Sequence, residues 1–543
     1  MSGALPVKSE CLPFHQVPHT SKLFTDFLSW SPKVQPFYSR PAQSSSWIKD
    51  ETSAVRYDNA RRERVANVLE RQNSAWGASP ETLENIRRFR AGALAAVTGQ
   101  QVGLFGGPLF SLFKALTAVK IAEEVRKART DCIPVFWLAT QDHDVAEVNH
   151  VELPGQDAAL ETISVSGQAV EGAPVGRIYF GEEIAPAVEK VAHLLGDCEA
   201  ADWLRAAYKN GETFGTAFGK LFARVFAKWG VVLMDASDPE MTAIAAPVFQ
   251  SAVERSAEIE KGLLQRGAEL EAAGYHQQVK VVPNSTLVFV VQNGVRLPVH
   301  RVPGSSSEFL IGEERISSAD LLQRIASAPE NFSANVLLRP VVQDYLLPTI
   351  AYTGGAAEVA YFAQGRAVYE LLAERATPII PRFSATLIEP RLQTLLDRYA
   401  LPFRSLFAGP AAVREQLAAH VLPDDFQKAF DRANEAVQSS MASVREAVIR
   451  IDKTLADAAK NAEEKMGYQL EQLRARAARA ELRQTEVLGR HAELLSNALY
   501  PHKTLQEREI GAIYFLGRHG GQLLDDIYSC MHAECQDHQL ISL

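Results

Sequence analysis

An α/β body followed by a long helical coiled-coil arm is the fold class that this 543-residue sequence predicts. Three observations point to it. Strand-turn-helix patterns with Gly-rich turns occur twice, at 94 to 127 and 347 to 374. Ile133 to Ala139, IPVFWLA, is a continuous apolar run of the kind found in strands buried on both faces. Beyond residue 440, apolar residues recur in alternating steps of three and four.

Taken in order, the first ninety residues read as an entry arm and two helices. The second is opened by Ser79 as N-cap, with Pro80 at the first helical position and Glu81 behind it. His15 and His19, in LPFHQVPHT, read as surface or packing residues. Leu94 to Thr98 is then a strand, followed by a Gly-rich turn and a helix through Lys127 in which Leu109, Leu112, Phe113, Leu116, Val119 and Val125 fall at helical spacing. With IPVFWLA this makes a βαβ unit. Gly230 to Met234 is a third buried-strand candidate, and Leu347 to Tyr352 with the turn Thr353-Gly354-Gly355 repeats the first pattern. Stretches at about 155–225 and 270–330 read as insertions, the later one a hairpin turning at Asn293-Gly294. Met441, Val444, Val448, Ile451, Leu455, Ala458 and Ala462 form a coiled-coil seam that resumes at Met466, Leu470 and Leu473 after a stutter. Such a seam needs a partner, either the helix at 390 to 420 or a second subunit. The predicted boundaries are 1–389 for the α/β core, 390–499 for the coiled coil and 500–543 for a segment packing back on the core.

The charge balance, 56 Lys+Arg against 65 Asp+Glu for a net −9, argues against broad nucleic-acid binding, which calls for a basic surface. No apolar run approaches the roughly 18 residues of a membrane span, and the first residues do not resemble a signal peptide. A cytoplasmic protein is expected. Its five cysteines are few and mostly far apart, which fits a reducing compartment better than a disulfide framework.

Three clusters carry candidate chemistry. Thr98-Gly99-Gln100-Gln101, with Gly103 and the glycines before Pro108, either lets an anion approach the backbone and the next helix or is a tight turn for helix packing. Its spacing matches neither the dinucleotide nor the Walker pattern. Asp142, His143 and Asp144, with Glu147, Asn149 and His150, fall just past the carboxyl end of IPVFWLA, where open α/β sheets bind ligands. Asp142 and Asp144 suit Mg2+, and His143 or His150 suits proton transfer; the bland alternative is a solvated loop with an N-cap. Around the second copy stand Arg339, Gln343, Tyr345, Gly354, Gly355 and Glu358, with Arg339 either a carboxylate clamp or a surface salt bridge. If both Gly turns share a sheet edge, they face one crevice. Lys114 reads as solvated. Cys530, His532, Cys535 and His538 are weak metal candidates, because their spacing matches no common zinc module.

Six segments, TGQQVGLFGGPLFSLFKA (98 to 115), PVFWLATQDHDVAEVNH (134 to 150), GYHQQV (274 to 279), LRPVVQDYLLPTIAYTGGAAEVAYFAQ (338 to 364), PRFSATLIE (381 to 389) and YPHKTLQER (500 to 508), resemble in order those of the cysteine-adding enzymes of bacillithiol biosynthesis, the BshC family. The resemblance covers almost the whole chain. It implies a Rossmann-like core with inserted connecting segments, a coiled-coil domain associated with homodimerisation, and a ligase that joins cysteine to glucosaminyl-malate. Making that amide requires an activated carboxyl, so ATP or another nucleotide with Mg2+ is expected, acting through an acyl-adenylate or acyl-phosphate. In this scheme Gly99 to Gln101 and Gly354-Gly355 surround anionic groups, Asp142 and Asp144 hold metal or the attacking amine, and His143 or His150 removes its proton. The cysteine ligase of mycothiol synthesis resembles class I tRNA synthetases, but neither H-x-G-H nor K-M-S-K-S occurs here. The competing expectation is a nucleotide- or metabolite-binding Rossmann scaffold protein of the same pathway without catalytic activity of its own.

Overall fold

The computed structural model describes residues 8–39, 47–155, 159–168, 171–305, 307–421, 424–482, 486–531 and 535–543. Its central sheet has five parallel strands, β1 (Leu94–Gln100), β2 (Cys132–Leu138), β3 (Val232–Asp235), β4 (Thr349–Gly354) and β5 (Ile379–Pro381), in the spatial order β5-β4-β1-β2-β3. Read from the other edge this is 3-2-1-4-5, the doubly wound Rossmann order, whose direction reverses between the first and fourth strands. All residues of β2 and β4 are buried, the physical reason β2 reads as an unbroken apolar run. Pro134 is tolerated inside β2 because pairing with β3 begins one residue later, at Val135.

Helix α1 (Phe110–Lys127) crosses from β1 to β2 and is buried nearly all round its first three turns, with Arg126 and Lys127 at its C-terminal, negative end. Helix α2 (Arg339–Leu346) precedes β4 and α3 (Ala356–Leu372) follows it. The 270–330 insertion forms an antiparallel sheet of strands Ser285–Gln292, Val295–Arg301, Glu308–Ile311, Glu314–Ser317 and Phe332–Ala334. Its hairpin turns at Asn293 and Gly294 with φ of 53° and 83°, the left-handed pair that an Asn-Gly turn supplies. The 155–225 insertion is mostly helical, with helices Ile184–Leu195, Glu199–Ala207 and Phe214–Val225.

The structure corrects three expectations. Among the described residues the first ninety hold a strand, Lys8–Leu12, and four α-helices rather than two; Lys22–Leu28 and Trp47–Ala54 are too short to display a period, while the Ser79 N-cap accepts the Thr82 N–H at 3.2 Å as the sequence predicts. The coiled-coil seam is not continuous. Helix α4 (Asp424–Ile451) ends at a turn in which Asp452 accepts the Thr454 N–H at 2.8 Å, and α5 (Leu455–Leu482) packs back on α4 as a hairpin. The three-and-four spacing runs across this turn by coincidence, because Asp452 has the local hydrogen bonding that stops a helix. Finally, Cys11 and Cys535 form a disulfide, since strand Lys8–Leu12 lies beside strand His538–Ser542 although the two are far apart in sequence.

By contacts the chain divides into one unit of Met1–Leu153, Glu161–Thr386 and Glu507–Ile541 and another of Pro154–Leu160, Leu387–Gln506 and Ser542–Leu543. The candidate site lies in the first. No helix among the described residues is long and apolar enough to cross a membrane.

Candidate active site

Because β1 and β4 are parallel neighbours, the turns Gly99-Gln100-Gln101 and Gly354-Gly355 leave the sheet at one edge, at its topological switch point. Thr98, fully buried, donates its hydroxyl to the Thr353 carbonyl at 2.9 Å and pins the strand ends together. A cavity of about 220 Å³ opens there, bounded by Gly99, Gln100, Gln101, Asp142 and Glu147 on one side and by Arg339, Gln343, Gly355 and Glu358 on the other. Lys114, Phe110, Trp137, Tyr352, Arg382 and Arg508 complete its wall. A second chamber of about 290 Å³, walled by Phe289, Arg296, Asn335 and Val336, shares Trp137, Ala139, Asp142 and Arg339 with the first.

Lys114 is not solvated, as its sequence context suggests, but 4% exposed. Its ammonium donates to the Gly99 carbonyl, Gln100 Oε1 and Glu358 Oε2, each at 2.8 Å, which uses all three of its hydrogens. Burial pushes its pKa below the usual lysine range, and Glu358 opposes that fall. Glu358 is itself anchored by the Tyr352 hydroxyl at 2.6 Å and the Gly355 N–H at 2.7 Å. A Cβ on Gly354 would stand 2.7 Å from the Glu358 Cβ, so glycine is what lets this carboxylate fold back over the start of α3.

Asp142 joins the two chambers. It accepts from the Gln101 amide at 3.0 Å and the His143 N–H at 2.9 Å, and Arg296 lies 3.9 Å away. Burial alone would raise its carboxyl, but Gln101, Arg296 and the His143 N–H together hold it below the usual carboxylate range. An ionised, weakly basic carboxylate in such a crevice suits holding an ammonium better than abstracting a proton.

The other sequence candidates fall outside both chambers. Asp144 caps the short helix Val145–Val148 through the Glu147 N–H at 3.3 Å, so the Asp142/Asp144 metal pair does not form. His143 is exposed, with its ring 3.2 Å from Arg296 and 3.6 Å from Asp142. His150, on an exposed strand position, and Asn149 face each other at 3.3 Å. Tyr345 carries the Arg61 guanidinium 3.9 Å over its ring. Gly103 belongs to the turn itself, since a Cβ there would meet the Gly107 Cα at 2.8 Å; of the two readings of this loop, tight packing holds for 103–107 and the crevice for 99–101.

The C-terminal Cys/His cluster does not assemble. Cys535 pairs with Cys11, and His532 lies outside the described residues. Among the described residues no group of three or more His, Cys, Asp or Glu side chains is arranged for a metal. His538 is fully buried; Ser384 Oγ, which donates to Glu507 at 2.9 Å, stands 2.7 Å from its Nδ1, and the Thr386 hydroxyl is 2.9 Å from its Nε2. Burial lowers its pKa to about 4. The unfolded chain therefore takes up this proton first as pH falls, so the stabilisation is complete above about pH 6.5 and disappears by about pH 4, a range worth about 3 kcal/mol. Urea unfolding at about pH 7.5 and about pH 5 is expected to show a loss about 2 kcal/mol greater for the unmodified chain than for His538→Gln; equal losses would discount the role of burial.

Sequence reasoning missed Lys114, Arg296, Arg382 and Arg508. For Lys114 the signal was present, because a helix apolar on all sides is a buried helix and a lysine within it needs a partner. Arg382 and Arg508 come from segments without an element pattern; Arg382 is held by the buried Glu507 at 2.6 Å.

With the geometry in place, comparison with known proteins is direct. The model described as "Bacillithiol biosynthesis BshC, N-terminal Rossmann-like domain" matches residues 7–383, and that described as "Bacillithiol biosynthesis BshC, C-terminal coiled-coil domain" matches residues 385–543. The protein named "Putative cysteine ligase BshC" from Koribacter versatilis is 48% identical over 532 residues, 98% of this chain and 99% of its own length. Proteins of the same name from Solibacter usitatus and Salinibacter ruber are 35% identical over 98% of this chain and 99% of theirs, and 30% identical over 96% of each. Both domain models match in order along nearly the whole sequence, on a sheet of doubly wound order, and the chain belongs to the BshC family of bacillithiol biosynthesis.

Proposed function

We propose that this chain is the ligase that joins the cysteine carboxyl to the amine of glucosaminyl-malate, forming the amide in the last step of bacillithiol biosynthesis. The observation that supports this best is the pair of neighbouring chambers at the switch point that share Trp137, Ala139, Asp142 and Arg339, two docking places with one ionised carboxylate, Asp142, common to both. A free carboxylate is a poor acyl donor, and a nucleoside triphosphate with Mg2+, when bound, supplies the activation. The residues fit that group: Arg508 supplies a cation for a phosphate chain, Lys114 and Arg382, each paired with its own carboxylate, fix the wall around it, and Glu147 is the carboxylate that would hold Mg2+, which needs only one or two from the protein.

The roles follow from placement. Gly99 and Gly355 let backbone approach the anionic group, and Arg339 stands between the chambers. Asp142 holds the substrate amine. Phe110 and Trp137 supply apolar wall that excludes water. Purified protein given cysteine, glucosaminyl-malate, ATP and Mg2+ is expected to yield bacillithiol by mass spectrometry. No product under any nucleotide or metal condition would leave a metabolite-binding scaffold as its role. The same reading makes it a cytoplasmic homodimer through the helical arm, where Val444, Met466 and Leu473 expose apolar side chains. Light scattering is expected to return a dimer that Leu473→Glu weakens.

A further inference from the structure

We infer that the chamber walled by Arg296 and Arg339 is a carboxylate subsite, which seats the dicarboxylate end of the acyl acceptor and so turns its amine toward Asp142. The acceptor's part in this rests on the ligase reading above; the anion site stands on charge and geometry alone.

The cations of the two chambers are paired differently. Lys114 has its own carboxylate in Glu358 at 2.8 Å, and Arg382 has Glu507 at 2.6 Å. Arg296 and Arg339 share one carboxylate among the described residues, that of Asp142, which lies 3.9 Å from Arg296 and is also engaged by Gln101 and the His143 N–H. Tyr361 and Tyr352 beside Arg339 favour its charge but are neutral, so two guanidinium charges face one carboxylate and a ligand anion completes the balance. Burial lowers the Arg296 pKa to about 10, with Asp142 opposing the fall and the nearby Arg339 adding to it.

Arg296 is also built to hold still. Its Nε donates to Ser333 Oγ at 3.1 Å and its Nη2 to the Ala334 carbonyl at 2.9 Å, while Nη1 meets His143 at 3.2 Å. One hydrogen remains on each terminal nitrogen. The guanidinium lies 3.9 Å over the Phe289 ring, and Val336 adds apolar wall, so the occupant carries short hydrocarbon between its charges. That describes an aliphatic dicarboxylate rather than a phosphate chain. The glycine turns that suit phosphate line the other chamber, with Arg508.

Equilibrium binding of succinate, its uncharged isostere succinamide, and a non-hydrolysable ATP analogue to the full chain tests this. Succinate is expected to bind and succinamide not. Arg296→Lys keeps a charge but loses the fork, and is expected to weaken succinate at least about tenfold while leaving the ATP analogue unaffected. In turnover the same variant raises the acceptor KM with little change in kcat, and malate competes with the acceptor. Undiminished succinate binding by a folded Arg296→Lys, or loss of the ATP analogue instead, overturns the assignment. So does competition by malate against ATP or cysteine alone in the unmodified protein, a measurement that needs no variant. A protein that binds succinate through Arg296 but makes no amide would defeat the ligase reading and leave the subsite standing.

Discussion

Lys114→Met is expected to lower kcat/KM for ligation by about 10²-fold, because the Gly99 carbonyl, Gln100 and Glu358 lose the cation that holds them in place at the crevice and the substrate is misplaced. It is also expected to destabilise the fold by about 3–5 kcal/mol, because Glu358 would keep its charge in a buried site with no cation beside it. The two effects separate in the double variant Lys114→Met/Glu358→Gln. A neutral amide at 358 still caps the Gly355 N–H and meets Tyr352, so stability in urea returns while turnover stays low. Full turnover in the double variant would reduce Lys114 to a structural role.

Asp142→Asn should cost about a hundredfold in kcat/KM, or about 3 kcal/mol, with the fold intact, because the amide oxygen still accepts from Gln101 while the charge facing the substrate amine is gone. Kinetics with each substrate varied in turn locate the loss. If Asp142 holds the amine, the defect follows the acceptor; if it holds Mg2+ instead, the defect shrinks as Mg2+ is raised. Unchanged kinetics in both series would remove Asp142 from the site.

Much of this architecture could be read before any coordinates. IPVFWLA announces a central strand because both its faces are covered, and Asn293-Gly294 announces a hairpin because few other dipeptides adopt two left-handed residues in succession. The crevice was legible only as a condition, that both Gly turns share a sheet edge, and the parallel pairing of the strands that precede them meets it. Chemistry that depends on distant residues was not legible. Whether Asp142 or Asp144 faces the ligand depends on which carboxylate caps a four-residue helix, and no periodicity reports that. Arg296 reaches the site from a strand of an inserted sheet, at a position that alternation alone marks merely as one face or the other. The coiled-coil seam failed differently: apolar spacing persists through the bend at Asp452, where capping rather than hydrophobicity decides the path.

The wall of the first chamber has a bearing on how the enzyme comes into being during synthesis. Gly99, Lys114 and Asp142 are made early, yet the Arg382 guanidinium beside them finds its carboxylate only in Glu507, and Arg508 follows directly. Domains tend to fold as units while the chain emerges. A nascent α/β body that had closed before residue 507 left the ribosome would carry Arg382 buried and unpaired, a state costing several kcal/mol. Binding competence therefore arrives late, and a ribosome stalled within the helical arm would display a sheet with its strands in place and a crevice unable to hold its ligand.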